Sequence, residues 1–445
     1  MLNYIWLGFI LAAVLLGGAT GHLKEMTDGA FDSAKAGVMN VALPLVGVMA
    51  LLLGIMRLAE KSGLVQVLAR GLRPVLRRLF PEIPPDHPAM GAMVTNIAAN
   101  MLGLGNAATP LGLRAMQRLE RLNPHPGTAT NAMCTFLAIN TSSVQLIPLT
   151  AVGILAAAKS TNPTAIIGTA LVATSCAAIV AVLVVKALER LPIFAAPKGV
   201  ALDGKVGPNV LPEEADSPAP PRLRWWGGPA VGIFAACFVF WFLRDVFHPL
   251  PAAASQTDIP GASLWVRAIL AISALAIPFI FSFFPLYAFA CGVKVYEEFV
   301  EGAKEGFNVA VRIIPYLVAI LVAMGMFRAA GGIQMLAQWL APVLDRIGFP
   351  ADLLPIVLVR PLSGSATIGL FAELVKAHGP DSFIARTAGT IMGSTETTFY
   401  VLAVYFGSVG IRRTRHAVLA GLAADFTGVV VSFVICRAVF GSGPG

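Results

Sequence analysis

Apolar residues occur along this chain in blocks of about twenty, the length that an α-helix needs to cross the hydrocarbon core of a bilayer. The blocks lack the alternation of apolar and polar residues that a membrane β-barrel requires. Hydrophobic residues make up 57% of the 445 residues, and charged residues make up only 13%. The sequence therefore predicts an all-α, polytopic membrane protein whose main partner is the lipid bilayer.

The formal net charge of +8 would suggest a nucleic-acid partner in a soluble protein, but membrane proteins concentrate Lys and Arg in their cytoplasmic loops. We therefore expect no nucleic acid. The five cysteines stand singly in apolar blocks without metal-ligand spacing, so they are interpreted as small buried hydrophobic residues. Residues 1–20 lack a basic leader and a cleavage site, and we expect them to form a retained first span.

The two halves of the chain resemble each other. Four pairs of similar segments occur in the same order: 34–63 with 303–332, 72–81 with 340–350, 105–112 with 363–369, and 139–145 with 393–399. This order predicts two units with one ancestor, the first over 1–191 and the second over 264–445. Between them, 192–263 is expected to be a polar, Pro-rich linker with one connecting span at 226–243.

Each unit is expected to contain two spans, a charged interfacial helix, a hairpin interrupted by polar residues, and two further spans. In the first unit these lie at 2–19, 38–58, 62–80, 89–120, 130–157 and 164–189. In the second unit they lie at 264–291, 307–327, 333–348, 352–376, 386–408 and 415–439. With the connecting span, the prediction is about nine spans and two re-entrant hairpins.

The hairpin prediction rests on the stretch Asn100 to Gly112, NMLGLGNAATPLG, whose glycines and proline break a helix at mid-membrane depth. Lipid cannot satisfy the backbone groups that this frees, so we expect the chain to enter and leave on one side, with the tip buried in protein. Re-entrant hairpins also gather the basic clusters of the first unit on one face, as the positive-inside rule requires. The N-terminus is then cytoplasmic, and the expected location is a bacterial inner membrane.

The single connecting span inverts the second unit relative to the first. Inverted units with broken helices at the bilayer midplane are a transporter design, because they can exchange inward-open and outward-open shapes around a fixed site. Duplication that serves only packing is the alternative.

The polar run Ser394 to Thr398, STETT, places the carboxylate Glu396 near the middle of the predicted span 386–408. A charge there costs a few kcal/mol, so it is expected to be neutral, paired or beside a wet cavity. Successive polar residues sweep the whole helix circumference, so either their hydroxyls bond back to the preceding turn or the helix is unwound. The equivalent run at 139–145 favours unwinding in both spans. Glu396 is interpreted as an ion-coupling or substrate-binding residue, with a structural hydrogen-bonded acid as the alternative.

The hairpin tips carry small and hydroxyl residues where half-helices begin, and these either cradle a polar ligand or allow close helix packing. Arg360 has three interpretations: pairing with Glu396, binding an anionic substrate group, and snorkelling to the interface. Asp425 is interpreted as a proton relay or as an acid paired with a hydroxyl or Arg. The expected ion-coupling residues are Glu396, Asp425 and Arg360. The expected substrate-binding residues are Asn96, Asn100, Asn106, Thr109, Asn140, Thr141, Ser142, Ser143, Gln145, Ser363, Ser365, Thr367, Ser394, Thr395 and Thr397.

Motifs in both halves resemble those of one membrane protein group. They are NIAANMLGLGNAATPLGLRAMQ and FLAINTSSVQLIP in the first half, and RPLSGSATIG and GSTETTFYVLAVYFGSVGIRRTRHA in the second. The chain resembles a fusion of the spore maturation proteins A and B, which belong to the Gate, or nucleoside-recognition, group. That group also includes concentrative nucleoside transporters and the membrane part of ferrous-iron transporters. The resemblance implies a site built from hairpin tips and broken helices, and a link to spore core dehydration and cortex maturation.

No hydrolase, nucleotide-binding or metal-ligand motif is present in the sequence, so no enzyme activity, cofactor or metal is expected. The sequence predicts a secondary transporter of a small polar solute, nucleoside-like or another small metabolite, coupled to a proton or Na⁺. The alternative is a non-transporting membrane scaffold or assembly factor for spore or cell-envelope maturation. A homo-oligomer is left open.

Overall fold

A computed structural model describes most of the chain, and all regular structure in the described residues is helical. The described ranges are 2–36, 38–39, 43–84, 87–194, 223–247, 263–332 and 348–441, with five further residues between 332 and 348. The predicted all-α fold is confirmed. The predicted interfacial helix at 333–348 lies almost wholly outside the described residues.

The first half of the chain forms nine described helices. They are α1 (Leu2–Thr20), α2 (Leu23–Ala36), α3 (Leu43–Lys61), α4 (Leu64–Leu79), α5 (Pro88–Met101), α6 (Gly105–Glu120), α7 (Asn131–Ser142), α8 (Leu149–Ala157) and α9 (Ile166–Leu188). Helix α2 was not predicted, because its polar sequence LKEMTDGAFDSAKA has no apolar block. It packs against the second half of the chain rather than spanning on its own.

The second half forms eight described helices. They are α10 (Gly227–Phe247), α11 (Leu264–Ala290), α12 (Val295–Ala329), α13 (Leu354–Val359), α14 (Gly364–His378), α15 (Phe383–Ser394), α16 (Thr398–Ser408) and α17 (Ala417–Phe440). Helix α12 begins twelve residues before the predicted span at 307, because the Glu, Lys and Ala residues of its polar first turns favour a helix and this stretch contains no proline. Short 3₁₀ turns lie at Pro192–Phe194 and Ala351–Leu353.

Five of the described helices are long and apolar enough to cross a bilayer unaided: α3, α9, α10, α11 and α17. The chain is therefore a multi-pass membrane protein. Two other predicted spans, 130–157 and 386–408, are each divided between two helices. The full count of about nine spans stays a prediction.

Helices α2 and α3 run antiparallel along α12, and small residues bring them together. A Cβ at Gly54 would lie 2.7 Å from the Phe299 ring and 2.9 Å from its carbonyl oxygen, so only glycine fits there. Near the other end of α12, Gly325 lies against α2, and a Cβ at Gly325 would lie 3.0 Å from the Gly29 carbonyl oxygen and collide with the Ser33 side chain. In the first contact a glycine of the first half lies against a helix of the second half, and in the second contact the reverse holds. Such an exchange is expected of two units related by a pseudo-twofold axis.

Both polar-interrupted stretches fold back as hairpins. In the first, Arg118 near the end of α6 donates to the Pro88 carbonyl at the start of α5, over 2.9 Å. In the second, His378 at the end of α14 lies 3.7 Å from Asp352, just before α13. Each stretch therefore begins and ends at the same face, as the re-entrant prediction requires.

Loop contacts show how the two broken spans are oriented. The Gly127 carbonyl, before α7, accepts from the backbone N–H groups of Arg412 and Arg413, after α16. At the other end, Ser160 and Thr161, after α8, bind Asp381, before α15. The α7–α8 pair therefore runs antiparallel to the α15–α16 pair. This orientation is the one expected of inverted units, whose common ancestry stays a prediction.

We predict that Asp381→Asn weakens this loop connection. Asp381 accepts from Ser160 Oγ at 2.7 Å and from both the N–H and Oγ1 of Thr161 at 2.9 Å. Burial raises its pKa, but these donors and Arg386 outweigh burial and hold the pKa below its ordinary value of 3.8. The group is partly exposed, so screening limits the effect to about 1 kcal/mol or less.

Because the pKa is lowered in the folded state, this stabilisation is present above the unfolded pKa and is lost as the pH falls through the folded pKa. Thermal unfolding in detergent should show a lower midpoint for D381N at pH 7, and a smaller difference from wild type near pH 3. The control is Asp32→Asn, an exposed aspartate on α2. An equal shift for both variants at pH 7 would argue against the contact.

Candidate functional site

Two spans are unwound at the positions that the polar runs predict. Helix α7 ends at Ser142 and α8 begins at Leu149; α15 ends at Ser394 and α16 begins at Thr398. We name the connecting segments 143–148 break 1 and 395–397 break 2. Ser143 takes a left-handed backbone conformation, with φ of 35°, which is rare for a residue other than glycine. The prediction that both spans are interrupted is confirmed.

The breaks of the two halves contact each other. The Glu396 N–H donates to the Thr141 carbonyl over 2.7 Å. The Gln145 side-chain amide donates to Glu396 Oε1 over 3.0 Å. Glu396 and Gln145 are both half-buried, whereas Thr141 is buried. The carboxylate of one half is therefore held by an amide of the other half and keeps some access to its surroundings.

Each hairpin turn is bonded to the chain at or just after the break of its own half. The Leu146 N–H donates to the Met101 carbonyl at the first turn, and the Phe399 N–H donates to the Pro361 carbonyl at the second; both distances are 2.9 Å. The two turns and the two breaks are thereby joined into one continuous cluster of hydrogen bonds.

Arg360 caps the end of α15. Its guanidinium Nη2 donates to the Met392 carbonyl over 2.9 Å and also to the Thr395 carbonyl. A cation at a helix C-terminus is favoured by the helix dipole and satisfies carbonyls that lack an intrahelical partner. The side chain is 6% exposed, so the snorkelling interpretation is wrong. The pairing with Glu396 is also wrong, because in the described structure Arg360 bonds carbonyls while Glu396 bonds Gln145.

Three predicted asparagines meet around Tyr405 of α16. The Asn100 amide donates to Asn140 Oδ1 over 2.8 Å, and the Tyr405 hydroxyl lies 3.5 Å from the same oxygen. Asn96 donates to the Ala108 carbonyl at 2.8 Å and to Tyr405 Oη at 3.3 Å. Asn96 is fully buried, and its Oδ1 has no partner among the described residues. This cluster connects the first hairpin to the second half of the chain.

Sequence reasoning missed Tyr405. It lies among apolar residues, where an aromatic side chain is expected to face lipid or to pack in the protein core. The available signal was its hydroxyl, because a buried tyrosine hydroxyl usually finds a hydrogen-bond partner. The structure shows why Gly112 stands in the first hairpin: a Cβ there would collide with the Tyr405 hydroxyl.

The last helix of each unit also contacts a break. Thr174 on α9 donates to the carbonyls of Ser142 and Ser143 at 2.8 and 2.7 Å. Asp425 on α17 accepts from Thr398 Oγ1, just after break 2, at 2.6 Å. Asp425 therefore has the hydroxyl partner that one of its two interpretations required.

Most of the other predicted residues use their hydroxyls locally. Back-bonds to a carbonyl three or four residues earlier are made by Thr141, Ser142, Thr367 and Ser394. Ser363 accepts from the Ala366 N–H and caps α14, and its Oγ lies 3.4 Å from that of Ser365. Thr397 and Thr395 are buried, and Thr109 is partly exposed. The Asn106 side chain lies outside the described residues.

A cavity of about 440 Å³ lies away from the breaks, among the α6–α7 loop, the end of α9 and the loop before α17. Its polar lining includes Glu82, Asn123, His125, Glu189 and Arg415. Sequence reasoning did not identify it, because its lining comes from segments that are distant in the chain. It lies at the end of the molecule where the Gly127 carbonyl meets the 412–413 backbone.

The comparison with family models finds the Gate family, described as nucleoside recognition, over residues 42–190 and 310–412. These residues are more than half of the chain. The chain belongs to the Gate family. The matched segments contain both breaks and both hairpin turns, so the hydrogen-bonded cluster lies within the Gate domain.

Two relatives from Bacillus subtilis (strain 168) share this ancestry. Spore maturation protein B is 47% identical over 171 residues, which are 38% of this Gate protein and 96% of that relative. Spore maturation protein A is 40% identical over 184 residues, 41% of this chain and 93% of that relative. Each relative matches well under half of the chain, which is consistent with a fusion of the two.

A solved structure, that of the Alcanivorax borkumensis YdaH transporter with its unusual topology, aligns over 98% of both chains. The TM-score is 0.45 and the sequence identity is 15%. A similarity of this size supports no conclusion about the function of the Gate protein.

We predict that Arg360→Gln destabilises the Gate protein by about 2–3 kcal/mol, because charge-assisted hydrogen bonds to two buried carbonyls are lost. Arg360→Lys should retain part of this stability, since an ammonium keeps the charge but not the planar fork. Thermal unfolding in detergent measures both. Arg413→Gln, at an exposed arginine of the α16–α17 loop, is the matched control and should leave the midpoint within error. Equal midpoints for R360Q and R413Q would contradict the capping role.

Proposed function

We propose that this Gate protein is a secondary transporter of a small polar solute, coupled to a proton or another cation. The solute is nucleoside-like or another small metabolite. The two halves would alternate around the cluster of breaks and hairpin turns. Membership of a family described as nucleoside recognition supports this class of solute.

The observation that carries the proposal is the Gln145 to Glu396 hydrogen bond between the halves. A carboxylate in a membrane-spanning segment is costly and marks an ion or substrate pathway by default. Here it lies on unwound backbone, remains half-buried and is held by a residue of the opposite half. A relative movement of the halves would break this bond and change what Glu396 contacts.

The backbone around Glu396 suits such a change. The Glu396 N–H bonds the Thr141 carbonyl at the end of α7, and one backbone bond joins each hairpin turn to Leu146 or Phe399 beside the breaks. The Gln145 side chain adds its bond to Glu396 Oε1. A movement of the halves would exchange the bonds that Glu396 makes to Thr141 and Gln145. Asn100, Asn140 and Gln145 supply amide donors and acceptors of the kind that would bind a polar solute.

The alternative function is a membrane scaffold or assembly factor in envelope maturation. It is favoured by the names of the two relatives, which are spore maturation proteins. A scaffold needs the fold but needs no polar solute and no titrating carboxylate. The flux experiment below separates the two functions.

The test uses purified protein in proteoliposomes with an imposed pH or Na⁺ gradient and a panel of labelled nucleosides, nucleobases and amino acids. We expect gradient-driven accumulation of at least one compound. Glu396→Gln removes the charge with little change of shape and should lower this accumulation at least tenfold. Glu25→Gln, at an exposed acid on α2, is the control and should match wild type. Wild-type flux equal to that of empty liposomes across the panel, or full activity of E396Q, would contradict the proposal.

A further inference from the structure

Asp425 is a second acid in the membrane-spanning part of the structure, and it is far more enclosed than Glu396. It is 5% exposed. Oδ2 accepts from Thr398 Oγ1 at 2.6 Å, and Oδ1 has no partner among the described residues. An ionised carboxylate with one donor is expensive to bury, whereas the neutral acid costs much less. The environment therefore favours Asp425 with a proton bound.

The equivalent position in the other half shows that an acid is not needed to hold a break. Asp425 is the ninth residue of α17, and Thr174 is the ninth residue of α9. Thr174 satisfies two carbonyls at break 1 with a neutral hydroxyl. A carboxyl group at the corresponding place in the second half therefore needs an explanation other than structural support.

Two charged side chains of the cluster lie near Asp425 in the fold. Arg360 bonds the Thr395 carbonyl at break 2, and Glu396 follows Thr395 and precedes Thr398, which donates to Asp425, by two residues. A nearby guanidinium favours the ionised form of an acid, and a nearby carboxylate opposes it. Arg360 Nη2 donates to two carbonyls rather than to Asp425. Its Nε has no partner among the described residues. The charge balance at Asp425 thus depends on the position of the second hairpin and on the charge of Glu396.

Several other ionisable groups on α17 and on the helices packed against it are engaged elsewhere. Lys186 pairs with Glu189, the Arg386 guanidinium lies over the Phe440 ring, Tyr405 contacts Asn96 and Asn140, Cys134 donates to the Thr414 carbonyl, and Cys436 donates to Thr390. None of these contacts supplies Asp425 with a counter-ion.

The surroundings of Asp425 suit a proton better than a metal cation. A metal cation would need several oxygen ligands around the carboxylate. The Thr395 carbonyl, which unwinding frees at break 2, is already bonded to the Arg360 guanidinium. Thr398 approaches as a donor. A positive ion would also be repelled by the neighbouring guanidinium.

We propose that Asp425 stores the coupling proton of the transport cycle and exchanges it with Glu396; this inference rests on the proposed function. In the exchange, the O–H bond on Asp425 breaks and one forms on a Glu396 carboxylate oxygen. The negative charge moves from Glu396 to Asp425, where Arg360 stabilises it. One proton is shared by two carboxyl groups, as in other coupled acid pairs.

Infrared spectroscopy of the protein in lipid tests the protonation without relying on transport. Wild type at pH 7 should show the carbonyl stretch of a protonated carboxylic acid, shifted in D₂O. Asp425→Asn should remove it, and Asp425→Thr should do the same with the residue found at the equivalent place on α9. Asp32→Asn should leave it. Absence of the band in wild type, or its persistence in a folded D425N or D425T variant, would overturn the inference.

A flux measurement then tests coupling. The probe is the labelled compound from the panel above that wild type accumulates in proteoliposomes. Its uptake by wild type should rise at least tenfold with a pH gradient, and its uptake by D425T should no longer respond to the gradient. An unchanged response would overturn the role of Asp425 in coupling. If wild type moves no solute while the infrared band still depends on Asp425, the proposed function fails but the stored proton stands. The two failures are therefore distinguishable.

Discussion

The structure depends on one constraint: backbone N–H and C=O groups inside a bilayer must find partners within the protein. Both halves contain a turn and a break at membrane depth, and each leaves such groups without a helical partner. The four interruptions satisfy one another through the Met101, Pro361 and Thr141 carbonyls and through the Arg360 guanidinium. Broken helices are therefore tolerated here because they meet, and a lone break would be costly.

The same constraint explains why the site belongs to both halves. A break that was satisfied wholly within its own half would not tie its polar groups to the position of the other half. Glu396 instead bonds Thr141 through its backbone and Gln145 through its side chain. When one half moves against the other, these bonds must break and new ones must form. A change of shape therefore changes the environment of the Glu396 carboxylate. The proposed movement of a small polar solute and an ion would use this link.

Much of this architecture can be predicted from the sequence, because the hairpins and breaks have a distinctive local composition. Glycines, proline and hydroxyl residues in apolar blocks mark the hairpins and breaks, and lipid leaves few other ways to accommodate them. The matching positions of STETT and NTSSVQ predict two interruptions at equivalent places, and the structure has both. Helix α2 was missed because its polar sequence reads as a loop, although packing against α12 makes it helical.

Side-chain partners were harder to predict than helix boundaries. Arg360 was expected to pair with Glu396, to bind an anionic substrate group or to snorkel to the interface. It caps a helix end instead, because the path of α15 brings the Met392 and Thr395 carbonyls to it. The partnership of Tyr405 with Asn96 and Asn140 joins residues about 300 and 265 positions apart, and no local pattern encodes it. Contacts between the halves depend on their packing, which composition does not specify.

In an alternating transporter, the cluster of breaks faces each side of the membrane in turn. A Gln145→Cys variant, made in a background with the native cysteines replaced, can be labelled with a membrane-impermeant maleimide in vesicles of either orientation. We expect labelling from both sides. A Ser160→Cys, Asp381→Cys disulfide should abolish labelling from the side of these two loops. Labelling from one side only, unaffected by the cross-link, would show that the cluster does not alternate.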